Sequence, residues 1–122
     1  MRWEFDNTRP VYIQLCEQFT NAIISGALLP GEKLMSVRDL AKEAGVNPNT
    51  MQKALSELER SGLLYTQRTA GRFVTENKEK IKEIKQETAR LRVLQFLNEM
   101  AQLGINSQEI KELLSHMKKE ES

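Results

Sequence analysis

Cysteine, histidine and tryptophan each appear once in the 122 residues. A single thiol, Cys16, cannot close an internal disulfide, so a reducing compartment is expected. The single imidazole, His116, has no Cys or His at ligand spacing, so no metal site is expected. No apolar run approaches the roughly eighteen residues that a membrane span needs. The opening "MRWEFDNTRP" lacks the apolar middle of a secretory signal. A cytoplasmic protein without membrane contact is the expectation. Charge of one sign is missing too: nine basic side chains face eight acidic ones before residue 76, and nine face nine after it. A nucleic acid partner would therefore have to meet positive charge that the fold sorts onto one face. There is no glycine-rich phosphate loop and no nucleophile with a histidine partner. The chemistry of an enzyme has no residues to stand on, and no cofactor is implied.

What is present is helical patterning with abrupt punctuation. Tyr12, Leu15, Cys16, Phe19, Ala22 and Ile23 recur at three- and four-residue steps, which predicts a helix from about Arg9 to Ser25 with Thr8 as its cap. Cys16 lies on that apolar stripe, which favours packing over reactivity. Gly26 and Pro30-Gly31 end the segment. Ser36 is placed to cap a second helix by accepting the Asp39 amide, with Val37, Leu40, Ala41 and Ala44 inside. Gly45 supplies the freedom for a tight corner, and Val46 plugs the core beneath it. Asn47 then stands at an N-cap position and Pro48 at the first helical position, where its missing N–H costs nothing. The third helix buries Met51, Ala54, Leu55 and Leu58 and ends near Ser61-Gly62. Leu63–Gln67 and Arg72–Thr75 are short β-prone runs around a polar turn, a small hairpin. The expected fold is mainly α with one β-hairpin: a winged helix-turn-helix followed by a two-helix module.

The corner "GVNPNTMQKAL" carries the chemistry. Asn47, Asn49, Thr50, Gln52 and Lys53 crowd the mouth of the third helix with hydrogen-bonding side chains. The plain reading is that Asn47 caps and Lys53 is solvated surface. The functional reading is that a helix start, with its free amides and positive dipole end, is set against DNA. Asn and Gln match adenine there, and Thr can meet a thymine methyl. Arg68 and Arg72 flank the hairpin turn with almost no acid nearby, as a wing reaching for backbone or minor groove would. Lys42 and Arg60 read as ordinary surface.

In order and spacing, "RPVYIQL", "GALLPGEKLMSVRDLAKEAGVNPNT", "LSELERSGLLYTQ" and "GRFV" resemble the DNA-binding domain of GntR-family bacterial transcription regulators over roughly residues 5 to 75. The short remainder resembles the YtrA subfamily, whose members carry a brief helical dimerisation module in place of a large effector domain. The resemblance implies DNA contacts at Arg38, at Asn47, Asn49, Thr50, Gln52 and Lys53, and at the wing through Arg68, Gly71 and Arg72. Two positions depart from the family pattern. The wing reads Thr69-Ala70-Gly71 where Gly-x-Gly is common, and Lys53 stands where Arg is frequent, which removes the bidentate fork to guanine.

From Glu76 the composition turns charged and helix-forming. Ile81, Ile84, Thr88, Leu91, Leu94, Leu97 and Ala101 fall roughly along one side of a long helix that Gly104 stops. Asn106 with Glu109 resembles a capping box opening a last helix that buries Ile110, Leu113, Leu114 and Met117. So short an appendage can hardly bury both stripes on itself. A second copy would cover them, making Ile84, Leu91, Leu94, Leu97, Ile110, Leu113, Leu114 and Met117 the candidate dimer residues. The expected organisation is a DNA-binding domain over 1–75 and a dimerisation module over 76–122. The expected function is a homodimeric regulator, a repressor, on an inverted-repeat operator. The rival is a winged helix serving as a protein-interaction module, and a weaker one is an enzyme subunit or cofactor carrier. Operator sequence, target genes and any small-molecule effector are not written in the residues.

Overall fold

The computed structural model describes residues 1–121. Five helices and a hairpin follow in the order α1 (Val11–Ile24), α2 (Val37–Ala44), α3 (Pro48–Arg60), β1 (Leu64–Gln67), β2 (Gly71–Val74), α4 (Lys78–Gln102) and α5 (Ser107–Glu121). They form two compact units that divide between Lys85 and Gln86.

The first unit is built on one core. Leu15, Phe19 and Ile23 of α1, Leu40 and Ala41 of α2, and Met51, Ala54, Leu55 and Leu58 of α3 close on one another with Leu63, Leu64 and Val74 from the hairpin. Fully burying an aliphatic or aromatic side chain of this size contributes about 1.5–3 kcal/mol, so this cluster fixes how the three helices cross. Val37, Ala44 and Val46 are only half-buried at its edge. Cys16 is half-buried between α1 and α3, and its Sγ donates to the Ala54 carbonyl at 3.5 Å. Burial, then the nearby Glu57 and Glu17, push its thiol above the usual range. Such a thiol is a poor nucleophile and a serviceable packing group.

One local device differs from expectation and two add to it. Helix α1 starts at Val11, later than Arg9, and Pro10 is its N-cap with no side-chain cap bond. A residue before proline is driven out of the helical region, so Arg9 cannot join the helix. Thr8 turns back to donate its hydroxyl to Asp6. The buried Gln14 does the tying instead: its amide donates to the carbonyls of Asp6 and Arg9 and accepts the Asp6 N–H. Second, the segment at Lys33 pairs with Phe73 as an antiparallel bridge, so the hairpin has a short third rung. The Gly31 and Leu34 amides donate to Val74 and Arg72, and the Val74 amide to Glu32, each at 2.9 Å. Third, α4 begins at Lys78 behind Asn77, whose side chain accepts the Lys80 amide at 3.0 Å.

The corner and the α5 start match the reading of the residues. Ser36 accepts the Asp39 amide at 3.1 Å, and Gly45 closes α2 in the left-handed region at φ +71°. Asn106 accepts the Glu109 amide while Glu109 accepts the Asn106 amide, which completes the capping box.

The apolar residues after residue 75 are arranged differently from one continuous stripe. Ile81 and Ile84 are half-buried against the core of the first unit, so the first turns of α4 belong to that unit and Ile84 is engaged within its own chain. In the second unit only Ile110 of the expected four α5 residues is buried; Leu113, Leu114 and Met117 are exposed. Leu91, Leu94 and Leu97 are exposed as well, and so are Val93, Phe96 and Leu103. Phe96, two residues from Leu94 and five from Leu91, faces away from both, while Val93 shares the side of Leu97 four residues on. This half of α4 is therefore apolar on more than one side, which a single-stripe reading missed.

Candidate nucleic-acid interface

The first turn of α3 is shaped by its own cap. Asn47 is extended at φ −63°, ψ 135°, and its Oδ1 accepts the Asn49 amide at 2.8 Å. The plain reading thus holds for that oxygen, while the Asn47 Nδ2 has no partner among the described residues. Pro48 follows at the first helical position. Asn49, Gln52 and Lys53 are exposed and Thr50 is half-buried.

Two of these side chains are held by neighbours. Gln52 donates its Nε2 to Ser56 Oγ, one helical turn on, at 3.1 Å. That contact restrains the amide, and the Gln52 carbonyl oxygen has no partner among the described residues. Ser56 was not singled out in the sequence, although its four-residue spacing from Gln52 is the signal for such a pair. The Lys53 ammonium lies 3.8 Å over the ring of Tyr12 on α1, so it is neither simply solvated nor aimed from the helix tip.

The wing turns through Arg68, Thr69 and Ala70, with Gln67 paired to Gly71 and the Ala70 amide donating to the Gln67 carbonyl at 3.0 Å. Gly71 sits at φ +116°, and a Cβ there would lie 3.1 Å from Lys33 Cε. The positive φ selects glycine at that position without the Gly-x-Gly spacing, while the flexible Lys33 tip can give way. Arg68 is exposed at the turn. Arg72 is not: its side chain is 17% exposed, and its Nε donates to Glu59 Oε1 on α3 at 2.6 Å. Thr66 donates its hydroxyl to the same oxygen. Partial burial raises the Glu59 carboxyl, but these donors and the Arg72 charge outweigh it and hold the group below the usual carboxylate range.

Gln52, Gly71 and Arg72 meet in one open cleft of about 450 Å³, walled by Lys33 to Val37 on one side and by Thr66 and Ala70 on the other. Arg38, Asn47, Asn49, Thr50, Lys53 and Arg68 lie outside its lining. Neither Arg38 nor Arg68 nor Lys33 has an acidic partner among the described residues. Lys33 is a cation that the sequence reading passed over, because its strand pairing with Phe73 is nonlocal. No group of acidic, His and Cys side chains that could hold a metal occurs among the described residues, and no helix is long and apolar enough to cross a membrane.

A helix start bristling with amides beside a pinned wing is the architecture that comparison with known proteins then names. The family model of bacterial regulatory proteins, gntR family, matches residues 11–74. The chain belongs to the GntR family. GntR proteins are DNA-binding transcription regulators, not enzymes. The chain is 38% identical over 109 residues to the uncharacterized HTH-type transcriptional regulator YhcF of Bacillus subtilis, covering 89% of this chain and 90% of that one. It is 42% identical over 71 residues to the HTH-type transcriptional repressor YtrA of the same organism, covering 58% and 55%. These are YtrA-type regulators, as the short second unit suggested. Among solved structures, a GntR family transcriptional regulator from Listeria monocytogenes superimposes with a TM-score of 0.86 at 37% identity, over 92% of this chain and 98% of that one. The DNA-binding domain of AraR in complex with operator ORX1 matches with a TM-score of 0.56 at 30% identity, over 62% and 96%.

Proposed function

We propose that this GntR regulator is a cytoplasmic repressor that binds an inverted-repeat operator as a homodimer. The first unit reads the DNA and the second joins the two copies. The observation that carries the reading is the first two turns of α3, where Asn49 and Gln52 stand exposed beside a wing tipped by Arg68. Asn49, the free Nδ2 of Asn47, Thr50 and the Gln52 carbonyl meet base edges in the major groove. Arg38 and Arg68 meet phosphates. Phosphate contacts set register and base contacts choose sequence, so no catalysis is needed. Lys53 and Arg72, committed to Tyr12 and Glu59, act by holding their elements in place. The operator complex of AraR and the repressor name of YtrA support this assignment by likeness.

Homodimerisation is supported by the exposed leucines of α4 and α5, which leave a large apolar surface in water for a chain of this size. A two-fold dimer presents two recognition helices to two half-sites, and occupying a promoter in this way represses it. The test begins with enrichment of bound duplexes from a random pool. Recovery of a two-fold sequence, with affinity falling by a log–log salt slope of about −0.9 per phosphate neutralised, is the expected result. No enrichment, or binding indifferent to salt, would assign the winged unit to a protein partner instead.

A further inference from the structure

Glu59 stands on the last turns of α3, far along the helix from the base-reading residues, yet it is the meeting point of the wing. One of its oxygens, Oε1, takes both the Arg72 Nε and the Thr66 hydroxyl. Thr66 and Arg72 are direct partners across the hairpin, so the carboxylate grips both strands at one rung. The next rung is Gln67 with Gly71, and beyond it the chain turns through Arg68. Apart from the core contacts of Leu64 and Val74 at the far end, this is the polar attachment between the outer part of the hairpin and α3. Thr66 and Arg72 also line the cleft that separates the wing from Gln52.

We propose that Glu59 is a positioning residue for DNA recognition: through Thr66 and Arg72 it sets the angle of the wing to α3, and thereby the reach of Arg68 when Gln52 is on its base. The proposal rests on the DNA-binding reading above. Arg72 serves this link and not a phosphate. An exposed ion pair would add little, but a carboxylate accepting two donors in a half-buried site fixes a direction in space. With the grip released, the hairpin still pairs and keeps the Leu34 amide on its Arg72 carbonyl, but it pivots on that rung, and Arg68 meets its phosphate only part of the time.

The test is a double-mutant cycle in the full-length protein, using a duplex enriched by the wild type. Arg68→Ala should reduce the salt slope by about 0.9, one phosphate's worth, and Glu59→Ala by a part of that. In the Glu59→Ala background, Arg68→Ala should then cost clearly less than it does alone. Glu59→Gln keeps an acceptor for both donors and should recover most of the affinity, and it remains informative if the alanine variant folds poorly. A merely structural role predicts a lower melting temperature with the wild-type salt slope and additive losses; that result overturns the proposal. Hydrogen exchange in the free protein gives a second reading that needs no DNA. The Leu34 amide, which donates to the Arg72 carbonyl from outside the hairpin, should exchange faster in Glu59→Ala, and unchanged exchange would also overturn it. If the wild type enriches no duplex, the DNA reading fails while the exchange experiment still decides whether Glu59 holds the wing.

Discussion

The ammonium of Lys53 rests 3.8 Å above the ring centroid of Tyr12, joining the third helix to the first. A cation over a tyrosine face contributes about 0.5–1 kcal/mol at an exposed site. Replacing Tyr12 by Leu keeps most of the apolar body and removes that attraction. Tyr12→Leu should therefore lose stability of about that size in urea unfolding, and Lys53→Gln should lose a similar amount. Combined, the two should cost little more than either alone, because they break one contact. Fully additive losses would show that Lys53 gains nothing from the ring.

Base reading and backbone holding separate by mutation. Asn49→Ala or Gln52→Ala should relax choice at particular base pairs, costing about 1–3 kcal/mol on the best site and much less on others. Arg68→Ala and Arg38→Ala should weaken binding to all sequences alike and shallow the salt dependence. Ser56→Ala should behave as a mild form of Gln52→Ala, since it frees the amide that Ser56 fixes. Affinities across a panel of single-base operator variants check all of these. Identical profiles for the two groups would remove the division of labour.

Acid should loosen the wing before it unfolds the core. The Glu59 carboxyl is pushed up by burial but held lower overall by Thr66 and Arg72, so its folded-state value lies below its unfolded one. Its contribution to stability is then fully present above the unfolded value, near 4.3, and is lost as pH falls through the folded value. Wild type should exceed Glu59→Gln at neutral pH by about 1 kcal/mol, a charge-assisted bond discounted for a carboxylate still partly in water. The gap should close below about pH 4. Parallel stability curves for the two proteins from neutral to acid pH would refute the assignment.

Much of the winged unit was legible because its signals are local. Ser36, Gly45, Asn47 and Pro48 each announce a cap or corner by residue type and spacing, and the stripe through Leu15, Phe19 and Ile23 has the helical period. The same local reading misplaced the start of α1, where Pro10 overrules Thr8 as a boundary. What stayed hidden is nonlocal. Lys33 becomes a strand residue only by meeting Phe73, forty positions away in sequence. Arg72 looked like a wing-tip cation because the sequence does not show that Glu59 stands beneath it. Leu113, Leu114 and Met117 are exposed in the single chain, as residues expected to meet a second copy would be; the part of α4 that is apolar beyond one stripe, at Phe96, is what the periodicity did not show.

The core sets the scale for these effects. Leu55 is fully buried among α1, α2 and the hairpin. Leu55→Ala should cost about 2–5 kcal/mol, the transfer loss plus a cavity beneath the recognition helix. In so small a domain that is a large share of the total stability. Chemical denaturation should show the midpoint falling, and DNA binding should fall with the folded fraction. A loss below about 1 kcal/mol would mean that α3 repacks without help from its neighbours.

The second unit offers the sharpest test of assembly. Leu91 and Leu94 are about half exposed, and Leu97, Leu113, Leu114 and Met117 are open to water too. Charging Leu91 and Leu94 as Glu leaves the single chain undisturbed, since neither side chain is buried within it. Were this surface free in solution, the double variant would sediment as the wild type does and bind DNA with a modest electrostatic penalty. Were it covered by a second copy, two carboxylates would be driven into an apolar interface at several kcal/mol. We expect the latter: a dimeric wild type, a monomeric Leu91→Glu/Leu94→Glu variant with unchanged helical content, and a steep loss of affinity for a two-fold operator. Binding to an isolated half-site should change little, because the winged unit is untouched. A variant that remains dimeric would place the joining surface on other residues, with Val93, Phe96 and Leu103 as the next to charge.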